Sequence, residues 1–252
     1  MSIPLSNERR LELFPLTTAI VGVGADARLS IAGCDLGALA ERFGTPLYVY
    51  DQASMDAAVA TYRQALARHY PGATGITYAG KAFMCVAAAQ WVQHKNLLLD
   101  CTGAGELRIA AAAGVNRAGI LVHGVNKSPT DLAAAMAQGG IIVLDNLTEL
   151  HRLVALRQTM DEPTPELWLR VRPGVAVETH AYRQTGQQDS KFGMSLDEAS
   201  EAVALCQAQQ MPLTGIHFHQ GSHFHDPQPI GPAIETVLDL IVELREQRGW
   251  TP

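Results

Sequence analysis

Lys81 is the residue whose surroundings in the sequence best suit covalent chemistry. It follows a β-prone run, Ile76-Thr77-Tyr78, and two small residues, and an apolar segment rich in alanine and valine comes after it. This order predicts a strand, a tight exit, the lysine and then a helix. A lysine walled by apolar neighbours loses its proton more readily, and a neutral amine forms a Schiff base with a carbonyl compound. The alternative is a solvated surface lysine, which is the commoner case.

A second candidate cluster contains four histidines, namely His217, His219, His223 and His225. The first two would share one face of a strand, as two ligands of a metal would. The other two fall in a predicted loop, and the number and geometry of the ligands disfavour a metal. The alternative is a flat His219 ring packed against a cofactor, with Gly221 and Ser222 offering a backbone N–H and a hydroxyl to an anion. Under this alternative, His223 and His225 only line the opening of the site.

Charged residues also end several other strand-like runs. Asp100 ends one, and Glu106 follows it either as a site residue or as an ordinary first-turn helix charge. Asp145 is a candidate cap for the helix that begins near residue 147. Arg170 and Arg172 lie two apart in a predicted strand and would point the same way, which suits a carboxylate or phosphate, or a salt bridge across the mouth.

The elements that must position these residues alternate regularly from residue 75 onward. Strands are predicted near 75–79, 96–101, 119–123, 141–145, 166–172 and 213–219. Helices are predicted near 83–93, 104–113, 129–138, 147–159, 195–209 and 229–248. This alternation predicts βαβ units and a parallel sheet, either doubly wound or a (β/α)₈ barrel. Polar residues end most of the strands, as in a barrel, where the carboxyl ends of all strands face one opening. No G-x-G-x-x-G motif follows the first strand, which disfavours a dinucleotide-binding doubly wound sheet. We therefore favour the barrel.

Before this alternation the sequence is mixed. We predict a strand at Leu29-Ser30-Ile31 and a helix from Asp35 to Phe43. A strand at 47–50 and a helix from an Asp51 cap to about His69 should follow.

Composition limits the classes of partner and compartment. The 252 residues carry a net charge of −6, which argues against nucleic acid as the main partner. No apolar run has the length of a transmembrane helix and no signal-peptide core is present, so no membrane partner is expected. The four cysteines form no C-x-x-C pair. That pattern fits a reducing cytoplasm, where we expect the protein to be.

Five motifs occur in a fixed order: Tyr78-Ala79-Gly80-Lys81-Ala82, Gly103-Ala104-Gly105-Glu106-Leu107, His123-Gly124-Val125-Asn126-Lys127-Ser128, the loop from Thr179-His180 to Ser190-Lys191-Phe192-Gly193, and His219-x-Gly221-Ser222. Together they resemble the fold-type III pyridoxal-phosphate decarboxylases, from about residue 29 to the end. The loop motifs, including Thr185-Gly186, are more similar to the diaminopimelate branch of that family than to the ornithine and arginine branch.

This resemblance implies a (β/α)₈ TIM-type barrel of the alanine-racemase type, joined to a β-domain built from both chain ends. Residues 1–48 would contribute to the β-domain, and residues 49–252 would form about six barrel units. It implies pyridoxal 5'-phosphate bound through Lys81, with His219 stacked on the pyridine ring and Ser222 at the phosphate. Asp100 and Arg170 match positions that face the cofactor, and Glu106 matches a further acidic position.

The activity implied by the resemblance is decarboxylation of an amino acid, meso-diaminopimelate to L-lysine, in a cytoplasmic homodimer. Departures from the family pattern at Phe83, Arg172, Gln220 and His223 bear on the substrate. The alternatives are a related decarboxylase acting on another amino acid, an alanine-racemase-like enzyme, a pyridoxal-phosphate-binding protein without turnover, and a metal hydrolase.

The resemblance also implies that parts of the site lie beyond Pro252. These are the glycine-rich phosphate loop, the partner of the pyridinium nitrogen and the residues that bind the substrate. We therefore expect the chain to stop within the barrel. If the protein ends there, exposed strand edges predict poor solubility or altered association.

Overall fold

The computed structural model describes residues 11, 13–160, 163–175, 191–222 and 226–252. The chain divides into two compact units, Met1–Ile76 and Thr77–Pro252. The domain boundary expected after residue 48 stays a prediction. None of the described helices is both long and apolar enough to cross a lipid bilayer.

The first unit contains a small antiparallel sheet and two helices. Its elements are β1 (Thr18–Val21), β2 (Arg28–Ile31), β3 (Cys34–Asp35), α1 (Leu36–Phe43) and α2 (Gln52–His69). Asp35 and Asp51 cap the two helices, because their Oδ1 atoms accept from the backbone N–H groups of Ala38 at 2.9 Å and Ala53 at 3.3 Å. The Asp51 cap and both helices confirm the predictions made from the sequence, and the Asp35 cap was not predicted.

The strand predicted at residues 47–50 is wrong. These residues are in no strand, and all four are exposed. The run Leu-Tyr-Val-Tyr has high β-propensity, but that propensity is realised only when a neighbouring strand supplies backbone hydrogen bonds and a packed face. Among the described residues of its own unit, neither a neighbouring strand nor a packed face reaches this segment.

The second unit alternates strands and helices as predicted. Its strands are β4 (Thr77–Ala79), β5 (Leu98–Cys101), β6 (Ile120–Val122), β7 (Ile141–Leu144), β8 (Glu166–Arg170) and β9 (Leu213–His217). Its helices are α3 (Val86–His94), α4 (Ala104–Ala112), α5 (Pro129–Gln138), α6 (Leu147–Arg157), α7 (Leu196–Ala208) and α8 (Ile230–Arg248). Helix α3 begins three residues later than predicted, since Gly80–Ala82 first form a 3₁₀ turn.

The six strands form one parallel sheet in sequential order from β4 to β9. Sequential order distinguishes the two folds that the sequence left open. A doubly wound sheet reverses its strand order at a switch point, whereas a (β/α) barrel adds each strand beside the last. The rings of His123 and His217, which follow or end strands three positions apart in the sheet, lie 4.5 Å apart between centroids. The sheet is therefore curved as a barrel is, and the predicted fold class is confirmed.

The concave face of the sheet is filled by an apolar layer of alternate strand residues. Leu121, Ile141 and Val143 form its centre, and Leu98 and Trp168 pack against them. On β9 the matching position is Gly215, where a Cβ would lie 2.6 Å from Trp168 Cδ1. The indole occupies the space of a β9 side chain, so this position requires glycine. Layers of this kind fill the interior of (β/α) barrels.

Candidate active site

A polar layer lies directly above the apolar layer, at the carboxyl ends of the strands. Because side chains of a strand alternate between its faces, the residue two positions after each apolar residue points the same way. The residues so placed are Asp100, His123, Asp145, Arg170 and His217, which we call the polar layer. The sequence predicted that these residues share one mouth, and contacts among them, described next, confirm it.

Asp145 and Arg170 form a buried ion pair in this layer. Arg170 Nη1 donates to Asp145 Oδ1 at 2.9 Å, and the side chains are only 6% and 5% exposed. The same carboxylate oxygen accepts from the backbone N–H of Gly193 at 3.2 Å. The expectation that Asp145 caps α6 is wrong, because Asn146 Oδ1 accepts from the Glu149 N–H instead. Asp145 turns inward because the buried guanidinium needs a counter-charge.

A second buried ion pair, between Lys127 and Glu149, was not predicted. Lys127 Nζ donates to Glu149 Oε2 at 2.7 Å, and each side chain is 1% exposed. The same Oε2 accepts from the Asp145 N–H at 3.0 Å, which links the two ion pairs. Burial lowers the pKa of Lys127, and the Glu149 carboxylate opposes this shift. In the sequence Glu149 is indistinguishable from an ordinary first-turn helix charge, so no local signal reveals the pair.

Asp100, His123 and His217 occupy the other side of the layer. His123 Nδ1 lies 3.8 Å from Asp100 Oδ2, and its ring contacts that of His217 at an interplanar angle of 58°. Three buried atoms here have no hydrogen-bond partner within the described part of the chain: Asp100 Oδ1, His123 Nε2 and His217 Nδ1. Buried polar atoms are nearly always paired in folded proteins, so a group of unpaired ones suggests a ligand site.

Two histidines of the mouth are held neutral. Burial, reinforced by the nearby His123 and Arg170, lowers the pKa of His217 from 6.5 to about 3. Burial also lowers the pKa of His219 from 6.5 to about 4, with Arg170 and Lys81 as the largest electrostatic contributors. His219 therefore presents an uncharged flat ring at neutral pH. Strand β9 ends at His217, so His219 lies beyond the strand rather than on it.

Lys81 lies in the 3₁₀ turn immediately after β4. Gly80 presses against the neighbouring strand: a Cβ there would lie 2.6 Å from the Asp100 carbonyl oxygen. The turn therefore lies tight against β5 at the level of the polar layer. Lys81 itself is exposed, so the desolvation expected from its apolar neighbours is not a property of this structure. Lys81 follows β4 as His219 follows β9, so both lie beyond the carboxyl end of a strand of the same sheet, and the Lys81 charge contributes to the lowered pKa of His219.

The remaining predicted residues have other surroundings. Glu106 Oε2 accepts from the Thr102 hydroxyl at 2.6 Å and from the Thr102 backbone N–H, as a first-turn helix acid does. Ser222 is exposed. Arg172 follows the end of β8 and donates to the Gly193 carbonyl oxygen at 2.8 Å, so it does not pair with Arg170 around an anion.

Some of the predicted motifs lie outside the described residues. They are the segment from Thr179 to Ser190 and the histidines His223 and His225. Among the residues that are described, no three His, Cys, Asp or Glu side chains are grouped to hold a metal ion. Gln220, a departure from the family pattern, donates from Nε2 to the Val175 carbonyl oxygen at 2.6 Å and so ties the β9 exit to the β8 exit.

Solved structures with the same fold include diaminopimelate decarboxylases and a lysine/ornithine decarboxylase. The chain is 28% identical to the M. jannaschii enzyme in co-complex with L-lysine, with a TM-score of 0.81, over 94% of this chain and 55% of that one. It is 26% identical to the Helicobacter pylori enzyme complexed with L-lysine, with a TM-score of 0.74, over 83% of this chain and 52% of that one.

Sequence relatives carry the same name. The chain is 36% identical to a diaminopimelate decarboxylase of Halalkalibacterium halodurans over 91% of this chain and 53% of that protein. It is 38% identical to that of Bacillus subtilis over 88% of this chain and 51% of that protein. The chain thus spans about half the length of the curated relatives it matches. Residues 52–251 match the model of the pyridoxal binding domain of the pyridoxal-dependent decarboxylases, and the chain belongs to that family.

Proposed function

We propose that the protein containing this chain is a pyridoxal-phosphate-dependent carboxy-lyase that decarboxylates meso-diaminopimelate to L-lysine. The observation that carries the proposal is the position of Lys81, in the turn after β4, on the same mouth as a neutral His219. The names of the relatives support the substrate, and two of the similar structures are described as complexes with L-lysine.

The side chains at this mouth suit pyridoxal phosphate. Lys81 supplies a primary amine for the aldehyde, and the uncharged imidazole of His219 suits contact with an aromatic ring. Asp100 Oδ1 is a buried acceptor without a partner in the described chain, so a ligand with a donor group would satisfy it. We propose that Lys81, Asp100, Arg170, His219 and Ser222 bind the cofactor, with the Ser222 hydroxyl directed to its phosphate.

Bound pyridoxal phosphate supplies an electron sink for the electron pair left when carbon dioxide departs. In the proposed mechanism the Lys81 amine would hold the cofactor through its aldehyde. The neutral His219 ring would contact the cofactor without adding a charge to the site. The hydrogen bond to Asp145 fixes the position of the Arg170 guanidinium at the carboxyl ends of the strands. A positive charge held there favours the binding of anionic groups.

Spectroscopy on the full-length protein tests the cofactor. We expect the wild-type protein to be yellow and to retain the cofactor covalently on Lys81 after borohydride reduction. Lys81→Ala should lose both properties. A folded, colourless wild-type protein that takes up no pyridoxal phosphate contradicts the proposal.

Product analysis tests the substrate. Incubation with a panel of amino acids should give L-lysine from meso-diaminopimelate faster than any other product. Release of carbon dioxide from a different amino acid instead would identify a related decarboxylase. The departures from the family pattern at Arg172 and Gln220 are compatible with a different substrate. Cofactor uptake without carbon dioxide release from any amino acid would identify a binding protein without turnover.

We further propose that the full-length protein is a homodimer. The support is the resemblance to enzymes whose active sites lie across a dimer interface. Light scattering on the full-length protein should give twice the protomer mass, and a monomer that decarboxylates at full rate would contradict this.

A further inference from the structure

His123 lies between Asp100 and His217 in the polar layer. Asp100 is the penultimate residue of β5, His123 follows β6 and His217 ends β9. Its Nδ1 lies 3.8 Å from Asp100 Oδ2, and its ring lies 4.5 Å from that of His217. The Asp100 and His123 side chains are 13% and 21% exposed. The carboxylate is thus approached by a ring that is itself packed against a second ring.

Asp100 and His123 together have more unpaired hydrogen-bond acceptors than donors. A neutral imidazole has one N–H and one bare nitrogen, and a carboxylate beside Nδ1 favours the tautomer with the proton on Nδ1. His123 Nε2 is then an acceptor. Asp100 Oδ1 is an acceptor in any case, and both atoms are buried without a partner in the described chain. A ligand that donates a hydrogen bond would satisfy these two acceptors, Asp100 Oδ1 and His123 Nε2.

The charges indicate what kind of donor. Asp145, in the same layer, has Arg170 as its counter-charge, but no Lys or Arg nitrogen of the described residues lies within 4.0 Å of Asp100. A largely buried carboxylate with no Lys or Arg beside it favours a positively charged partner. A protonated nitrogen meets both requirements, because it donates a hydrogen bond and carries a positive charge.

We propose that His123 and His217 are positioning residues for Asp100: His217 packs against His123, the Nδ1 edge of His123 faces Asp100 Oδ2, and Asp100 Oδ1 is thereby directed to a protonated nitrogen of the ligand bound at Lys81. This inference rests on the proposed function, since it takes that ligand to be pyridoxal phosphate joined to an amine.

The surroundings of the histidine pair are suited to this role. The charged and titratable groups acting on His217 are His123, Arg170 from β8, His219 beyond β9 and Lys127 from the β6–α5 connection. All of them disfavour a positive charge on His217. A neutral His217 does not compete with the ligand for the Asp100 carboxylate, and it serves His123 as a packing surface.

Two amide substitutions at position 123 test the proposal on the full-length protein. His123→Asn places an amide N–H near the position of Nδ1, whereas His123→Gln places it near that of Nε2. Binding of pyridoxal phosphate is followed by absorbance titration. We expect His123→Asn to bind within about twofold of wild type and His123→Gln to bind about tenfold more weakly, because Asp100 loses the polar group that faces its Oδ2 atom.

A spectroscopic pH titration separates positioning from mere stability. The pH at which the absorbance band of the bound cofactor changes should fall by about one unit in His123→Gln, because a displaced carboxylate stabilises the protonated nitrogen less. In His123→Asn it should stay at the wild-type value. Exposed His151 on α6 offers a matched control, and His151→Gln should change neither measurement.

Variants at position 217 test the packing role independently. His217→Phe keeps a flat ring against His123 and should bind like wild type, whereas His217→Ala should resemble His123→Gln. Equal behaviour of the Asn and Gln variants, or of the Phe and Ala variants, overturns the proposal. A wild-type protein that takes up no pyridoxal phosphate overturns the proposed function itself, so the two failures are distinguishable.

Discussion

The two sides of the polar layer differ in how their charges are satisfied. The paired half, comprising Asp145, Arg170, Lys127 and Glu149, has every charge matched at 2.7 to 2.9 Å. The open half, comprising Asp100, His123 and His217, has three buried atoms without a partner in the described chain. Asp145 and Arg170 stand on the same apolar layer as the open half and use the same strand register, and the Lys127–Glu149 pair is bonded to them through the Asp145 N–H. The difference therefore lies in what each half is for, and not in how the backbone places it.

This difference separates folding from binding. Buried charges reduce stability unless they are paired, so a fold tolerates unpaired polar atoms chiefly where a ligand will pair them. The paired half fixes the ends of β7 and β8 and joins them to Gly193. The open half faces the mouth that carries Lys81. We expect substitutions at Asp145, Lys127 and Glu149 to change stability and substitutions in the open half to change ligand binding.

The largest effect is expected at the Lys127–Glu149 pair. Glu149→Leu leaves a buried ammonium without its counter-charge and should lower the free energy of unfolding by about 3–5 kcal/mol in urea denaturation. The double variant Lys127→Met/Glu149→Leu removes both charges and should recover most of the loss. A double variant as unstable as the single one would show that the pair is not what stabilises this half.

The matched aspartates give the next largest effect. Asp145→Asn leaves Arg170 unpaired and should cost about 3 kcal/mol. Asp100→Asn, the same change in the same layer, should cost less than about 1 kcal/mol in the cofactor-free protein, because no Lys or Arg loses a partner. Equal losses in the two variants would remove the distinction between the halves.

The open half should make the protein sensitive to acid. The pKa of His217 is lowered from 6.5 to about 3, so below pH 6.5 the unfolded chain takes up a proton that the folded chain does not. Stability therefore falls as the pH falls through this window, by about 2 kcal/mol between pH 6.5 and pH 5. His219, with a pKa of about 4, acts in the same direction.

Thermal denaturation between pH 5 and pH 7 measures this acid sensitivity. His217→Phe removes the titrating group and should flatten the dependence, whereas His151→Phe on the exposed face of α6 should leave it unchanged. An unaltered slope in His217→Phe would mean that another group titrates.

The smallest effect is expected at Lys81. Its side chain is exposed and the cofactor-free protein gains little from it, so Lys81→Ala should change the free energy of unfolding by less than about 0.5 kcal/mol. Covalent retention of the cofactor should nevertheless be lost completely. A large loss of stability in the cofactor-free variant would place Lys81 among the structural residues.

Much of the second unit was predictable because its signals are local. Ser128 and Ser195 each begin a helix with a capping box, and all six predicted strands are present. The strand at 47–50 was predicted wrongly because a strand depends on a partner that propensity cannot reveal. For the same reason Asp145 was predicted as a cap: the competing partner, Arg170, is 25 residues away along the chain.

The sequence by itself determined the alternation of strands and helices, the position of Lys81 after the first strand of the second unit, and the polar residues at the strand ends. These follow from periodicity and capping, which act over a few residues. Only the tertiary structure decided which of those polar residues pair. The curvature of the sheet brings His123 to His217 across three strands, and burial draws Lys127 to Glu149. Both results depend on the exclusion of water from the folded site, because electrostatic interactions are stronger where water is absent. The order of residues along the chain does not reveal where water will be excluded.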